Sequence, residues 1–188
     1  MLLLSLTVLC FSGFGLLAQQ KYILGTEQEL FILGTSTMHN WEMVTATAEG
    51  EGLFTIEDEQ LSAVSDFKVQ FKGEDLESGR GIMDRNTRRA LDTENHPMIS
   101  FVLTEYRRNE DGSEVAFGDF TAAGVTRKLE FNVDTELKGP KLQITGEVSF
   151  KLTDFDIEPP VALAGTLRTG DAVSLEFTLV FEALNSGG

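Results

Sequence analysis

Cysteine is almost missing from this chain. Its 188 residues hold one, Cys10, which sits in an apolar leader, so disulfides, thiolate nucleophiles and cysteine-rich zinc sites are excluded from everything after it. Histidine is scarce too. His39 and His96 are the only two, and they are not four apart, so the two-histidine metalloprotease helix is absent. No Gly-x-Ser-x-Gly elbow presents a serine, and no Gly-rich loop after a strand could cradle a phosphate. Asp154 and Asp156 flank Phe155 and share a face, yet they read more simply as a polar strand end than as paired acids. Bases are half as common as acids, 15 against 30, giving a formal charge of -15. That balance argues against nucleic acid, whose phosphates need Lys and Arg. It argues equally against electrostatic docking on an anionic membrane, and by itself it reads as solubility. No catalytic and no metal-ligating residue is assigned.

What the chain does have is phenylalanine, 14 residues against one Trp and two Tyr. Phe brings a large apolar surface with no polar atom to satisfy, which suits a greasy interior or an oily cavity. Met1 to Ala18 carries no charged side chain and is rich in Leu, Val and Phe. The run is short for a membrane span, which needs about 20 residues. It ends in Leu16-Leu17-Ala18 just before Gln19-Gln20-Lys21, the shape of a secretory signal peptide cleaved near Ala18. The expectation is a signal peptide over 1–18 and one domain over 19–188 that is secreted or periplasmic, without stable membrane insertion of the mature chain.

That domain reads as strand, turn, strand. Leu129, Phe131, Val133, Thr135 and Leu137 alternate with Lys128, Glu130, Asn132, Asp134 and Glu136. The same period-two pattern carries Leu142, Ile144, Gly146, Val148, Phe150 and Leu152, then Val173 through Ala183, and also Phe67, Val69 and Phe71. Further strands are expected near 28–35, 41–56, 98–106 and 114–121, with turns at Asp111-Gly112, Ala123-Gly124 and Lys138-Gly139-Pro140. Short turns join antiparallel neighbours. About eight one-sided strands make an all-β fold, a closed barrel or a sandwich. One segment breaks the pattern: between Gly79 and Asp92, Ile82, Met83, Thr87, Ala90 and Leu91 recur at helical spacing, predicting a short helix that covers one end.

Candidate ligand contacts follow from the inward faces: Phe67, Phe71, Phe101, Phe117, Phe131, Phe150, Phe177 and Phe181. Ile82 and Met83 are candidate lid residues, and His39 and Trp41 candidate rim residues. His39 admits three roles. It can satisfy backbone groups at a strand corner, which is favoured, or bond a ligand head group, or act as a base. Arg80, Arg85, Arg88 and Arg89 could hold a phosphate or a quinone oxygen. The ordinary and favoured alternative is a helix face paired with Asp84, Asp92 and Glu94.

Several segments together carry a resemblance. GTSTMHNW at 34–41, HPMISF at 96–101, GDFTAAGVTRKLEFNV at 118–133, LTDFDIEPP at 152–160 and GTLRTGDAVSLEF at 165–177 stand in the order found in the YceI-like family of lipocalin-like, polyisoprenoid-binding periplasmic proteins. The chain resembles that family over its whole mature length. The resemblance implies an eight-stranded antiparallel barrel with a short helix near one opening and a long apolar lumen. It implies an isoprenoid, quinone-like or other long-chain lipid as the partner, and no catalytic residue. The segment GIMDRNTRRALDTENHP departs from better-known members where the opening is covered. Periodicity alone does not separate a cavity from a solid core, and a homodimer stays open.

Overall fold

The computed structural model describes residues 19–184; the leader, with Cys10 and the expected signal peptide, and the last four residues lie outside them. Ten strands form in chain order: β1 (Gln20–Ser36), β2 (Trp41–Thr45), β3 (Glu49–Glu57), β4 (Gln60–Lys72), β5 (Met98–Arg108), β6 (Glu114–Ala122), β7 (Val125–Lys138), β8 (Lys141–Lys151), β9 (Val161–Ala162) and β10 (Leu167–Ala183). Eight of them pair antiparallel in the order β1-β3-β4-β5-β6-β7-β8-β10, and β10 returns to β1, closing a barrel with no free edge.

Apolar residues at every second position drive this closure. Phe131 and Val133 on β7, Leu142, Ile144 and Val148 on β8, and Val173, Leu175, Leu179 and Phe181 on β10 are all buried. Burying such a side chain contributes roughly 1.5–3 kcal/mol. The turns set the register. Ala123 (φ 48°) and Gly124 (φ 76°) make the two-residue left-handed turn that matches strand twist, so Ala122 pairs with Val125. Asp58 and Glu59 make a similar turn between β3 and β4 with no glycine, at φ 48° and 62°.

The single strand expected over 41–56 is in fact two. β1 pairs through its first residues with β3 and through its last with β2, so β2 and β3 share one lane with a gap between them. Gln28 spans that gap with its side chain. Its Oε1 accepts from Ala48 N–H at 2.8 Å, and its Nε2 donates to the Ala48 carbonyl at 2.9 Å. One amide thus satisfies backbone groups that the broken ladder leaves over.

After β4 the chain crosses beside β2, where Val44 and Glu77 exchange two backbone hydrogen bonds. It then forms the expected helix, α1 (Gly81–Ala90). None of its residues is fully buried; Met83, Ala90 and the following Leu91 rest on the core. Inside the barrel a file of touching rings runs from Tyr22 through Phe54, Phe67, Phe101, Phe131 and Phe120 to Phe155.

Candidate functional site

The barrel interior is divided in two. The inner chamber is small, about 80 Å³, and is walled by Leu30, Phe54, Phe67, Phe101, Phe131 and Phe177 among others. The outer chamber, about 560 Å³, lies between the barrel mouth and α1, lined by Ile32, Met43, Leu76, Ile99, Phe150 and Ile157 and roofed by Ile82, Met83, Thr87, Ala90 and Leu91. Phe120 lines both and stands between them. Its ring packs against Phe150 at 5.6 Å and Phe155 at 5.5 Å. A third, more polar recess of about 600 Å³ adjoins the mouth and shares Trp41, Arg80, Met83 and Val173 with the outer chamber.

The candidate contacts distribute unevenly over this space. Phe67, Phe71, Phe101, Phe131 and Phe177 all line the inner chamber. Phe181 is wholly buried against Phe54 and Phe67 and lines neither chamber. The outer chamber takes Phe150, Ile82, Met83, His39 and Trp41. Phe117 is a correction: it faces out of the barrel, with the Arg107 guanidinium 5.1 Å over its ring, while its neighbours Ala116 and Gly118 face in. The signal that places it was present. A two-residue turn at 123–124 pairs position 131 with 116, so an inward Phe131 puts Ala116 and Phe120 inward and Phe117 outward. That arithmetic also finds Phe120, which strand-by-strand alternation missed.

The motif GTSTMHNW builds the rim. Gly34 lies under the Trp41 ring, where any side chain would collide at 2.1 Å. Trp41 Nε1 donates to the Thr35 carbonyl at 2.9 Å. Ser36 closes the turn: its Oγ donates to the His39 carbonyl at 2.8 Å and accepts from the His39 N–H at 3.2 Å. Thr37 fastens the turn to β10, donating from its N–H to the Arg168 carbonyl at 3.0 Å and from its hydroxyl to the Thr166 carbonyl at 2.9 Å. The result fixes His39 at the mouth, its Nε2 3.2 Å from an Arg80 guanidinium nitrogen. No arginine of this segment comes within ion-pair distance of Asp84, Asp92 or Glu94 among the described residues, and Arg88 acts on Asp84 through its charge alone. Asp84 instead accepts from Ser78, from its N–H at 2.8 Å and its Oγ at 2.6 Å, and this holds its carboxyl below the usual carboxylate range. Arg88 donates from Nε to the Glu74 carbonyl at 3.2 Å.

The far end of the barrel is closed by a polar knot. Glu114 is 5% exposed, an exception to the outward placement of carboxylates. It accepts from the Tyr106 hydroxyl at 2.9 Å, from Thr135 N–H at 2.8 Å and from Thr135 Oγ1 at 2.9 Å, and it pairs with Arg108. Burial, and then the bond to Glu114, push the Tyr106 hydroxyl up to about 12. Asp154 lies not on a strand but in a 3-10 turn, Leu152–Phe155, that follows β8. Asp154 accepts from the Lys151 N–H at 3.0 Å, and the His96 ring packs on Gly124. Among the described residues no three His, Cys, Asp or Glu gather as a metal site, and no helix is long and apolar enough to cross a membrane.

These features define a closed antiparallel barrel with an apolar chamber under a short helix. The YceI-like domain model matches residues 29–181, and the chain belongs to that family. Among solved structures it is similar to BcnA of Burkholderia cenocepacia, with a TM-score of 0.68 and 12% identity over 81% of this chain and 95% of that one. It is also similar to a polyisoprenoid-binding domain of Saccharophagus degradans implicated in plant cell wall breakdown, with a TM-score of 0.65 and 12% identity over 89% of this chain and all of that one (100%). A YceI protein of Campylobacter jejuni aligns with a TM-score of 0.56 and 12% identity, covering 72% of this chain and 81% of that one. At this identity the likeness is one of fold. No match was found among curated protein sequences.

Proposed function

We propose that this protein binds a long apolar ligand, an isoprenoid lipid or quinone, with its tail in the outer chamber, and carries or stores it in the periplasm or outside the cell. The outer chamber itself carries the reading: about 560 Å³ of open space with walls of Ile32, Met43, Leu76, Ile99, Phe120 and Phe150. A mostly apolar concavity with a few polar groups at its rim is the usual form of a small-molecule site. Each buried methylene contributes roughly 0.8 kcal/mol, so a five-carbon isoprene unit gains roughly 4 kcal/mol before ordering costs. The family and the polyisoprenoid-binding neighbour from Saccharophagus degradans support the ligand class. The apolar leader over 1–18 supports export. The proposed contacts are the chamber's own residues, with Ile82 and Met83 as lid and Trp41 at the rim. No chemistry on the ligand is assigned.

The test is extraction. Purified protein should yield an isoprenoid or other long-chain lipid at a fixed ratio to protein, or take up added quinone by native mass spectrometry. Apo mass alone after gentle purification, with no uptake, contradicts the reading.

A further inference from the structure

One cation at the mouth has no counter-charge. Acids outnumber bases two to one in this chain, yet the Arg80 guanidinium makes no ion pair among the described residues. Asp84, four residues on, accepts from both donors of Ser78. The side-chain partner Arg80 has is His39 Nε2, at 3.2 Å. Guanidinium only donates, so a hydrogen bond between the two needs His39 Nε2 as its acceptor.

Both groups line the outer chamber at its exposed rim, beside an otherwise apolar wall. Arg80 also lines the adjoining polar recess with Asn40, Ser78, Ser149 and one acid, Glu42, with which it makes no ion pair. The Ser36 turn and the Thr37 clasp hold His39 in place before any ligand arrives, which lowers the ordering cost of binding. A planar fork of donors next to an imidazole that can turn and donate matches an oxyanion with two or three acceptor oxygens.

We propose that Arg80 and His39 clamp an acidic head group, a phosphate or a carboxylate, on a ligand whose tail fills the outer chamber. This rests on the apolar-ligand reading and sharpens it: the preferred ligand is a tailed anion rather than a neutral alcohol or quinone. Arg80 supplies the fixed charge and His39 the second contact. A charge-assisted hydrogen bond at this exposed rim is worth up to about tenfold in affinity.

The test uses the full chain and ligands matched in tail. Geranylgeranyl phosphate is compared with geranylgeraniol, and palmitate with hexadecanol, by displacement of a fluorescent lipid probe or by calorimetry. At least one acid should bind about tenfold more tightly than its alcohol, and which acid does so distinguishes phosphate from carboxylate. Arg80→Gln should lower acid affinity by a similar factor and close the gap to the alcohol, and His39→Gln should close part of it. Arg89, on the helix that follows Arg80, does not line the chamber, so Arg89→Gln controls for general electrostatics; it should keep the full preference. Alcohols binding as tightly as acids would overturn the clamp and leave the lumen reading standing, as would equal losses from Arg80→Gln and Arg89→Gln. Failure of all four ligands to bind would overturn the clamp and the lumen reading together.

Discussion

The two ends of this barrel interior are built from the same residue types and behave oppositely. The inner end interlocks its rings, with Phe101 and Phe131 centred 4.8 Å apart, and leaves about 80 Å³ unfilled. Its floor is sealed by the Glu114, Tyr106, Thr135 and Arg108 knot. The outer end is not filled by its rings, although Phe120 and Phe150 touch on its wall at 5.6 Å. Instead it is spanned by α1, which buries none of its residues completely, and about 560 Å³ stays open. Close packing gives stability, and a roof that does not fill what it covers gives a site. The contrast explains how a family barrel can be both a solid core and a container.

The contrast can be broken most forcefully at the inner end. Phe131→Ala removes a ring shared by Phe101, Phe120 and Phe177 and should cost about 3–5 kcal/mol in chemical denaturation. A loss below about 1 kcal/mol would mean that the inner rings are not tightly packed. Next in size, Glu114→Ala strands Arg108 and the Tyr106 and Thr135 donors. It should cost about 3 kcal/mol, toward the low end of a broken buried pair because the Arg108 side chain is 32% exposed.

The same knot has a pH signature. Tyr106 ionises at about 12 in the folded protein, whereas an unfolded tyrosine ionises near about 10. A raised folded value means the stabilisation is complete below the unfolded value and is lost as pH climbs from there through the folded one. Ultraviolet titration should therefore show Tyr106 still protonated at pH values where free tyrosine has ionised. Normal titration of both tyrosines in the folded protein would break the account of the floor.

The smallest effect on stability is expected at the roof. Ile82 is 74% exposed, so Ile82→Ser should change stability by less than about 0.5 kcal/mol while weakening binding of a long-chain alcohol severalfold. Stability loss without affinity loss would reverse the roles assigned to the two ends.

Much of this was legible in the sequence, for physical reasons that differ by region. The barrel and its strongest strands follow from period-two alternation, because one face must be dry and the other wet. Helix α1 follows from its change of period. The split of β2 from β3 does not, because it depends on Gln28 reaching a gap 20 residues away. The Asp58-Glu59 turn is hidden because neither residue is the glycine that such a backbone favours. For the site, alternation identified inward rings and could not say which of them face empty space, since packed and cavity walls need the same residues. So Phe67, Phe101, Phe131 and Phe177 fall to the packed end, and the lid and rim residues, singled out for breaking the pattern, fall to the open end. Phe117 fell on the wrong face because alternation was not carried across the 123–124 turn.

Trp41, the chain's single tryptophan, lines the outer chamber, while Tyr106 lines the inner one, so one fluorescence experiment separates the two ends. Titration with a long-chain alcohol brominated close to its hydroxyl should quench Trp41 emission saturably, at the same midpoint as binding measured by calorimetry. Saturable binding that leaves Trp41 emission unchanged would put the ligand elsewhere and contradict the account.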